Sequence, residues 1–198
     1  MGNLQSFYLE IDSFKKTRYT HYMIVRTYHS FLARLSMEKM EKKTGPIEIL
    51  FSYTREDEDL RDRLETHLAS LKRQKRIICW HDRHIRAGRV WNLEISTHLN
   101  TADIILLLIS ADFINSDYCN QVEVERALER HEKGEVFVIP VILSPADWKE
   151  EKFGKFQALP RDAQPIIEWP HLDIALYNVA KGLKEIIEEI EEVRGSSV

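Results

Sequence analysis

The sequence has little glycine, proline or cysteine. Among 198 residues there are 7 Gly and 6 Pro, and no stretch is dominated by one or two residue types. This composition excludes collagen-like, linker-like and prion-like chains. The two cysteines, Cys79 and Cys119, are too few for a disulfide framework and lack the spacing of a metal-binding knuckle. We therefore expect a reducing, cytoplasmic setting.

Long apolar runs and an excess of positive charge are also absent. The most apolar run, Ile104–Ile109, is far shorter than the roughly 20 residues that a membrane-spanning helix needs. Lys and Arg number 28 against 32 Asp and Glu, and a net charge of -4 argues against phosphate-backbone binding. We predict neither a membrane nor a nucleic acid as partner. With 43% hydrophobic and 30% charged residues, the chain is instead typical of a globular protein with one well-buried core.

The first 45 residues differ in charge from the rest. They contain eight Lys or Arg and four Asp or Glu, so they are basic whereas the remainder is acidic. Apolar side chains recur there at helical spacings, at Ile24, Val25, Tyr28, Phe31, Leu32 and Leu35. We predict a partly helical N-terminal extension over residues 1–45 and a compact domain over residues 46–194. The opening six residues fit the permissive pattern for N-myristoylation, but so short a pattern recurs by chance and we do not expect lipid attachment.

From residue 46 onward, short apolar runs alternate with amphipathic stretches. The runs predict strands over residues 47–53, 76–80, 102–110 and 135–143, with a short fifth strand over 165–169. The stretches predict helices over residues 57–71, 91–100, 116–133 and 174–193. This alternation indicates an α/β fold, and we predict a doubly wound, five-stranded parallel sheet of flavodoxin-like order 2-1-3-4-5.

Ligands of such sheets bind at the carboxyl ends of the strands, so the residues after each apolar run are candidates for a site. After the first strand come Ser52, Tyr53 and Arg55, and after the second come Arg83 and Arg86. No Gly-rich phosphate loop is present, and the first strand lacks the acidic end of a phosphoacceptor receiver. The eight histidines form no ligand set with metal-binding spacing. We predict no metal and no permanently bound cofactor.

Several motifs together carry a family resemblance. The segment 80–91 contains the string W-x-D-x-x-I-x-x-G-x-x-W; the segments 49–53 (ILFSY) and 110–119, a Glu-Val pair at 123–124 and an Asp-Trp pair at 147–148 complete the set. In this order, they resemble the Toll/interleukin-1 receptor (TIR) domain, bacterial type, over about residues 46–169.

The resemblance implies an enzyme, because many bacterial and plant TIR domains cleave NAD+ between nicotinamide and ribose. It predicts an NAD+ glycohydrolase or an ADP-ribosyl cyclase that uses a single catalytic glutamate, in a W-C-x-x-E arrangement. Here Tyr118 and Cys119 take the first two positions, but Val122 stands four residues after Tyr118 and the first glutamate is Glu123. Matching Glu123 to the catalytic position requires one extra residue in the helical turn, and Glu125 is the alternative.

The same resemblance suggests the substrate-binding residues. Trp91 and Tyr118 stack on nicotinamide or adenine, and Ser52 hydrogen-bonds the ribose beside Tyr53 on the same rim. The pyrophosphate meets arginines through charge-assisted hydrogen bonds. These arginines are Arg55, Arg83 and Arg86.

The family also suggests how activity is controlled. In many enzymatic members the loop after the second strand, here residues 81–90, packs against a neighbouring protomer and completes the cleft. We expect other TIR protomers as partners, together with an upstream sensor protein, in prokaryotic immune defence or signalling. The alternative is a non-catalytic adaptor that uses the same fold for homotypic contacts, and a third possibility is a sensor that binds a nucleotide without turnover.

Overall fold

The computed structural model describes residues 43–84, 88, 90–116 and 123–195, without the side chains of residues 91 and 92. The strands are β1 (Ile47–Ser52), β2 (Ile77–Trp80), β3 (Ile104–Ile109) and β4 (Phe137–Ile142). The helices are α1 (Glu58–His67), α2 (Ala69–Arg73), α3 (Trp91–Thr101), α4 (Ala111–Asn115), α5 (Val124–Glu132) and α6 (Leu172–Gly195). Predictions for residues 1–42 lie outside the described part.

The strands form one parallel sheet in the order β2-β1-β3-β4. β1 lies in the middle, where Leu50 is in register with Trp80 of β2 and with Ile105 of β3. The parallel sheet confirms the predicted α/β fold, and the order of the first four strands matches the flavodoxin-like prediction. All four carboxyl ends meet at one edge, which is where a ligand site is expected.

The predicted fifth strand over residues 165–169 is wrong. Ile166–Glu168 form a 3-10 turn instead, between two prolines. The position beside β4 is occupied by a single bridge between Val141 and Leu159. Pro160 follows Leu159 and has no backbone N–H, so the ladder cannot continue.

The core lies on both faces of the sheet. Every residue of β3 is buried, as expected for a central strand covered by helices on both sides. Because side chains alternate along a strand, Ile104, Leu106 and Leu108 pack with α1, α2 and α6, whereas the residues between them pack with α3, α4 and α5. The same alternation operates in β1 and places Phe51 and Ser52 on opposite faces.

The region after β3 differs from the single helix that was predicted over residues 116–133. The short helix α4 comes first, and the hydroxyl of Ser110 caps it by accepting a hydrogen bond of 3.0 Å from the backbone N–H of Phe113. Residues 117–122 lie outside the described part, and α5 begins at Val124. The end of β3 thus leads directly into a helix that was not predicted.

The described chain begins beside the end of its last helix. The Lys43 ammonium lies 2.7 Å, and the Arg194 guanidinium 2.8 Å, from the same carboxylate oxygen of buried Asp103. Arg194 also donates a 3.3 Å hydrogen bond to the Gly45 carbonyl. These contacts fix residue 43 next to the C-terminal end of α6. Within the described ranges, no helix, α6 included, combines the length and apolar character needed to cross a membrane.

Candidate functional site

Ser52 and Glu123 meet at the carboxyl edge of the sheet. Ser52 is the last residue of β1, and its hydroxyl donates a 2.6 Å hydrogen bond to Oε2 of Glu123, just before α5. The two side chains are hidden from solvent, with Ser52 1% and Glu123 8% exposed. The structure therefore brings together the predicted ribose-binding serine and the predicted catalytic glutamate.

Burial gives Glu123 an unusual affinity for its proton. Loss of hydration raises the pKa of its carboxyl from 4.5 to about 7, the hydrogen bond from Ser52 opposes that rise, and the negative charge of Asp82 adds to it. Near neutral pH the group can therefore either hold or release a proton. Once ionised, it is poorly screened, so its field acts strongly on a nearby positive charge.

The backbone at Glu123 bears on the spacing of the motif. It is π-helical, and the ordinary α-helix continues from Val124. A π turn closes i→i+5 instead of i→i+4, so it holds one residue more than an α turn. The residues ahead of Glu123 in this turn lie outside the described part, so the extra residue stays a prediction.

Glu125 points elsewhere. Its side chain is 54% exposed and lies 2.6 Å from the ammonium of Lys152. An ion pair in this position is typical of a solvated helix face. Of the two candidate glutamates, Glu123 is the one that contacts β1.

Tyr53 joins the end of β1 to the loop after β2. Its hydroxyl donates a 2.6 Å hydrogen bond to Oδ1 of Asp82, and the Arg61 guanidinium lies 4.9 Å from the centre of its ring. Burial raises the pKa of the Tyr53 phenol, and the hydrogen bond to Asp82 raises it further, so the hydroxyl stays protonated as a donor. Tyr53 therefore anchors the loop that begins at Asp82.

The arginine beneath Tyr53 was not predicted. Arg61 is only 2% exposed, and its Nη1 donates to Nε2 of His81 at 2.7 Å and lies 2.7 Å from a carboxylate oxygen of Asp62. The same nitrogen of His81 lies 3.5 Å from a carboxylate oxygen of Glu65. No sequence signal indicates this burial, because an arginine within the charged helix over residues 58–67 has the pattern of a solvated side chain.

Two of the three predicted phosphate-binding arginines lie at the surface of the rim. Arg83 is 61% exposed and forms an ion pair with Glu58, which holds the pKa of the Glu58 carboxyl below its ordinary value. Arg55, in the 3-10 turn after β1, is also exposed and contributes to the same effect. Both guanidinium groups are open to a ligand from solvent.

A second buried carboxylate lies at the ends of β1 and β3. Oδ2 of Asp57 accepts hydrogen bonds from Thr54 Oγ1 at 2.7 Å and from Ser110 Oγ at 2.6 Å. Burial raises the pKa of Asp57, whereas the two hydroxyl donors lower it. Because Ser110 also caps α4, this carboxylate connects both strand ends to the start of α4. A Thr-x-x-Asp spacing was available as a signal, but Asp57 was assigned only as the start of a helix.

The other predicted binding residues lie outside the described side chains. Arg86 and Tyr118 are not described, and only the backbone of Trp91, at the start of α3, is described. Their roles stay predictions. Among the described residues, no three His, Cys, Asp or Glu side chains are arranged to hold a metal ion, and the sequence prediction that the site needs none stays a prediction.

The chain matches one known domain family and one curated relative. The sequence model of the TIR domain family matches residues 49–166. The uncharacterized protein y4lF of Sinorhizobium fredii is 54% identical over 137 residues, which make up 69% of this chain and 42% of that protein. The chain thus spans about two fifths of the length of this relative.

One solved structure of low identity shows the same fold. The crystal structure of the TIR domain of the Toll-related receptor TRR-2 from Hydra magnipapillata has a TM-score of 0.51 at 16% identity, covering 71% of this chain and 97% of that one. The TIR domains of the activated Roq1 resistosome give a TM-score of 0.42 at 16% identity, covering 76% and 83%. The sheet, the order of its strands and the match over residues 49–166 show that the chain belongs to the TIR domain family.

Proposed function

We propose that this TIR domain is an NAD+ nucleosidase that cleaves the bond between nicotinamide and ribose. The observation that carries the proposal is the buried Glu123 carboxylate, held by Ser52 at the carboxyl edge of the sheet. The site combines the features expected of a catalytic carboxylate, because it is desolvated, oriented by a neighbour and near its pKa at neutral pH.

The chemistry needs one anion beside the ribose. Nicotinamide departs as a neutral molecule with the electrons of its bond to C1′, and positive charge develops on the ribosyl ring. The ionised Glu123 carboxylate stabilises that charge without reorganising, because Ser52 already holds Oε2 in place. We assign the contact with the ribose to Oε1.

Two products are consistent with this site. Attack by water forms a bond from oxygen to C1′ and gives ADP-ribose, and Glu123 accepts the proton that the water loses. Attack by an adenine nitrogen instead gives a cyclic ADP-ribose isomer. The shape of the bound substrate decides between the two outcomes.

We assign the rest of the substrate to the rim. Arg55 and Arg83 bind the pyrophosphate together with Arg86, because their exposed guanidinium groups can form charge-assisted hydrogen bonds. Trp91 and Tyr118 stack on the rings. Tyr53 acts through Asp82, by holding the first residues of the loop over residues 81–90.

We also propose that self-association switches the enzyme on. The start of the loop is fixed by two contacts, Tyr53 with Asp82 and Glu58 with Arg83, and a neighbouring protomer packs against the loop to complete the cleft. Such a switch suits a cytoplasmic role in prokaryotic immune defence or signalling, with an upstream sensor protein promoting assembly.

Nicotinamide release from NAD+ across a series of protein concentrations tests the proposal, with oligomeric state measured on the same samples. An assembly-dependent nucleosidase will show release that rises faster than linearly with protein concentration and is lost in Glu123→Ala. No release from protein that is demonstrably oligomeric would favour the alternative, a non-catalytic TIR adaptor. Saturable NAD+ binding without release would favour a sensor.

A further inference from the structure

Consecutive residues at the end of β1 hold two carboxylates at the carboxyl edge of the sheet. Ser52 donates a hydrogen bond to Glu123, and the next residue, Tyr53, donates one to Oδ1 of Asp82, each at 2.6 Å. Because the Cα atoms of consecutive residues lie about 3.8 Å apart, both carboxylates are tied to one short piece of backbone. The negative charge of Asp82 also adds to the rise in the pKa of Glu123, so the two acids interact.

Within the described part of the chain, neither carboxylate forms an ion pair. Glu123 is bonded to the Ser52 hydroxyl, and Asp82 to the Tyr53 hydroxyl. Arg83, which follows Asp82 directly, pairs with Glu58 instead. Two neighbouring acids without a cation favour a positively charged ligand group over a neutral one of the same shape.

Asp82 is the member of this pair that faces solvent. Its side chain is exposed, whereas that of Glu123 is only 8% exposed. No described group besides the Tyr53 hydroxyl donates a hydrogen bond to the Asp82 carboxylate. Burial and this hydrogen bond raise the pKa of the Tyr53 phenol, so the donor keeps its proton. Asp82 therefore presents an oriented negative charge that no ion pair within the described ranges uses.

The substrate of the proposed reaction carries its positive charge at a matching place. In NAD+ the nitrogen of the cationic nicotinamide ring is bonded directly to C1′ of the ribose, the carbon that the proposed function places beside Glu123. A carboxylate next to Glu123 is therefore next to the ring as well. Opposite charges at such a contact favour the correct ligand and its correct orientation.

We propose that Asp82 is a specificity-determining residue whose carboxylate selects the cationic nicotinamide ring of NAD+ against the neutral ring of NADH. This inference rests on the proposed function, because it needs the ribose beside Glu123. The carboxylate attracts the charged ring, and the dihydronicotinamide ring has no charge for it to attract. The Tyr53 hydroxyl positions the carboxylate, and the charge of Asp82 makes the selection.

Ligand binding to the full chain tests the proposal. Glu123→Gln is the background, because it slows turnover and leaves Asp82 as the remaining acid of the pair. Calorimetry gives the Kd of three probes, which are NAD+, NADH and ADP-ribose, the last of which lacks the ring. We expect NAD+ to bind roughly tenfold more tightly than NADH, as for one charge contact near a protein surface.

Asp82→Asn removes the charge but keeps an oxygen that can accept the Tyr53 hydrogen bond. Added to Glu123→Gln, it should bring the Kd of NAD+ to within about twofold of that of NADH, with NADH and ADP-ribose binding unchanged. Asp59→Asn makes the same change at an exposed position of α1 and should keep the preference for NAD+. Thermal unfolding followed by circular dichroism checks that all variants fold.

The interaction of the two carboxylates is tested without a ligand. The difference in unfolding free energy between Glu123→Gln and wild type levels off at the pH where folded Glu123 is fully ionised. Asp82→Asn, introduced into both proteins, should lower that pH because it removes a neighbouring negative charge, and Asp59→Asn should not. A pH that Asp82→Asn leaves unchanged would overturn the proposal, because the two acids would not share one subsite.

The binding results separate this inference from the proposed function. Equal Kd values for NAD+ and NADH in the Glu123→Gln background, with nicotinamide release by the wild type, would overturn the inference and leave the function standing. A preference for NAD+ that survives Asp82→Asn would assign the selection to another group. If none of the three probes binds to protein that is demonstrably oligomeric, the proposed function and this inference both fail.

Discussion

The hydroxyl of Ser52 donates a 2.6 Å hydrogen bond to the carboxylate of Glu123, joining residues 71 positions apart in the sequence. The contact connects the end of the central strand β1 to the start of α5. It offsets only part of the cost of burying the carboxylate, since the pKa of Glu123 still rises to about 7. Ionising Glu123 therefore lowers the stability of the folded protein. This leads to predictions about stability as well as activity.

Glu123→Gln should stabilise the fold at high pH. Because the folded pKa of Glu123 is raised from 4.5 to about 7, wild-type stability falls as pH rises through this interval. The glutamine variant has no such loss, so its advantage should grow from near zero at about pH 4.5 to about 3 kcal/mol above about pH 7. Urea unfolding at both ends of the range measures it. A difference that does not change with pH would contradict the raised pKa.

The rate of nicotinamide release should depend on ionisation of Glu123. We expect kcat/KM to rise with pH and level off above about pH 7, following the free carboxyl group. The cationic nicotinamide ring of bound NAD+ favours the ionised form, so the midpoint for kcat should lie below that for kcat/KM. A steady-state pH profile in buffers of constant ionic strength measures both midpoints. A flat profile between about pH 5 and 8 would exclude this role.

Ser52→Ala should reduce activity and shift its pH dependence. A hydrogen bond to a charged group contributes about 1.5–3 kcal/mol, so we expect kcat to fall by roughly 10- to 100-fold. Without the Ser52 hydroxyl the pKa of Glu123 rises further, which moves the midpoint of the pH profile upward. Ser144→Ala, after the last strand, is the matched control and should keep wild-type kinetics. Loss of activity in Ser52→Ala with an unmoved midpoint would mean that Ser52 acts separately from Glu123.

Asp57→Ala should destabilise the fold. It leaves the buried hydroxyls of Thr54 and Ser110 without their shared acceptor, for an expected loss of about 2–4 kcal/mol. Asp57→Asn keeps an acceptor oxygen and should lose less. Asp59→Ala, at an exposed position of α1, is the control and should change stability by no more than about 0.5 kcal/mol. Equal unfolding free energies for the Asp57→Ala and Asp59→Ala variants would contradict this role.

Periodicity predicted the sheet well where apolar runs were long and bounded by turns. The run over residues 104–109 is apolar throughout, and it became β3, one of the two inner strands. The prediction failed at residues 165–169, because two isoleucines between prolines satisfy a strand pattern, whereas the pairing position beside β4 depends on where Leu159 lies. Tertiary geometry of this kind is not contained in a local pattern.

The site was predictable to the extent that it follows strand ends and a family motif. Ser52 and Glu123 were selected on those grounds and lie in contact. Asp57 and Arg61 were missed, because charged residues in an amphipathic stretch are ordinarily solvated and only the three-dimensional structure shows that these two are buried. Burial of a charge depends on partners far away in the sequence, such as Ser110 and His81.

The most direct test compares two glutamates that lie two residues apart in one helical segment. Glu123→Gln and Glu125→Gln make the same chemical change, one at a buried site bonded to Ser52 and the other at an exposed site paired with Lys152. Nicotinamide release at about pH 8, with protein concentration and oligomeric state matched, should fall at least about 100-fold in Glu123→Gln and stay within about twofold of wild type in Glu125→Gln. Wild-type turnover in Glu123→Gln, or its loss in Glu125→Gln alone, would contradict the assignment of Glu123 as the catalytic carboxylate.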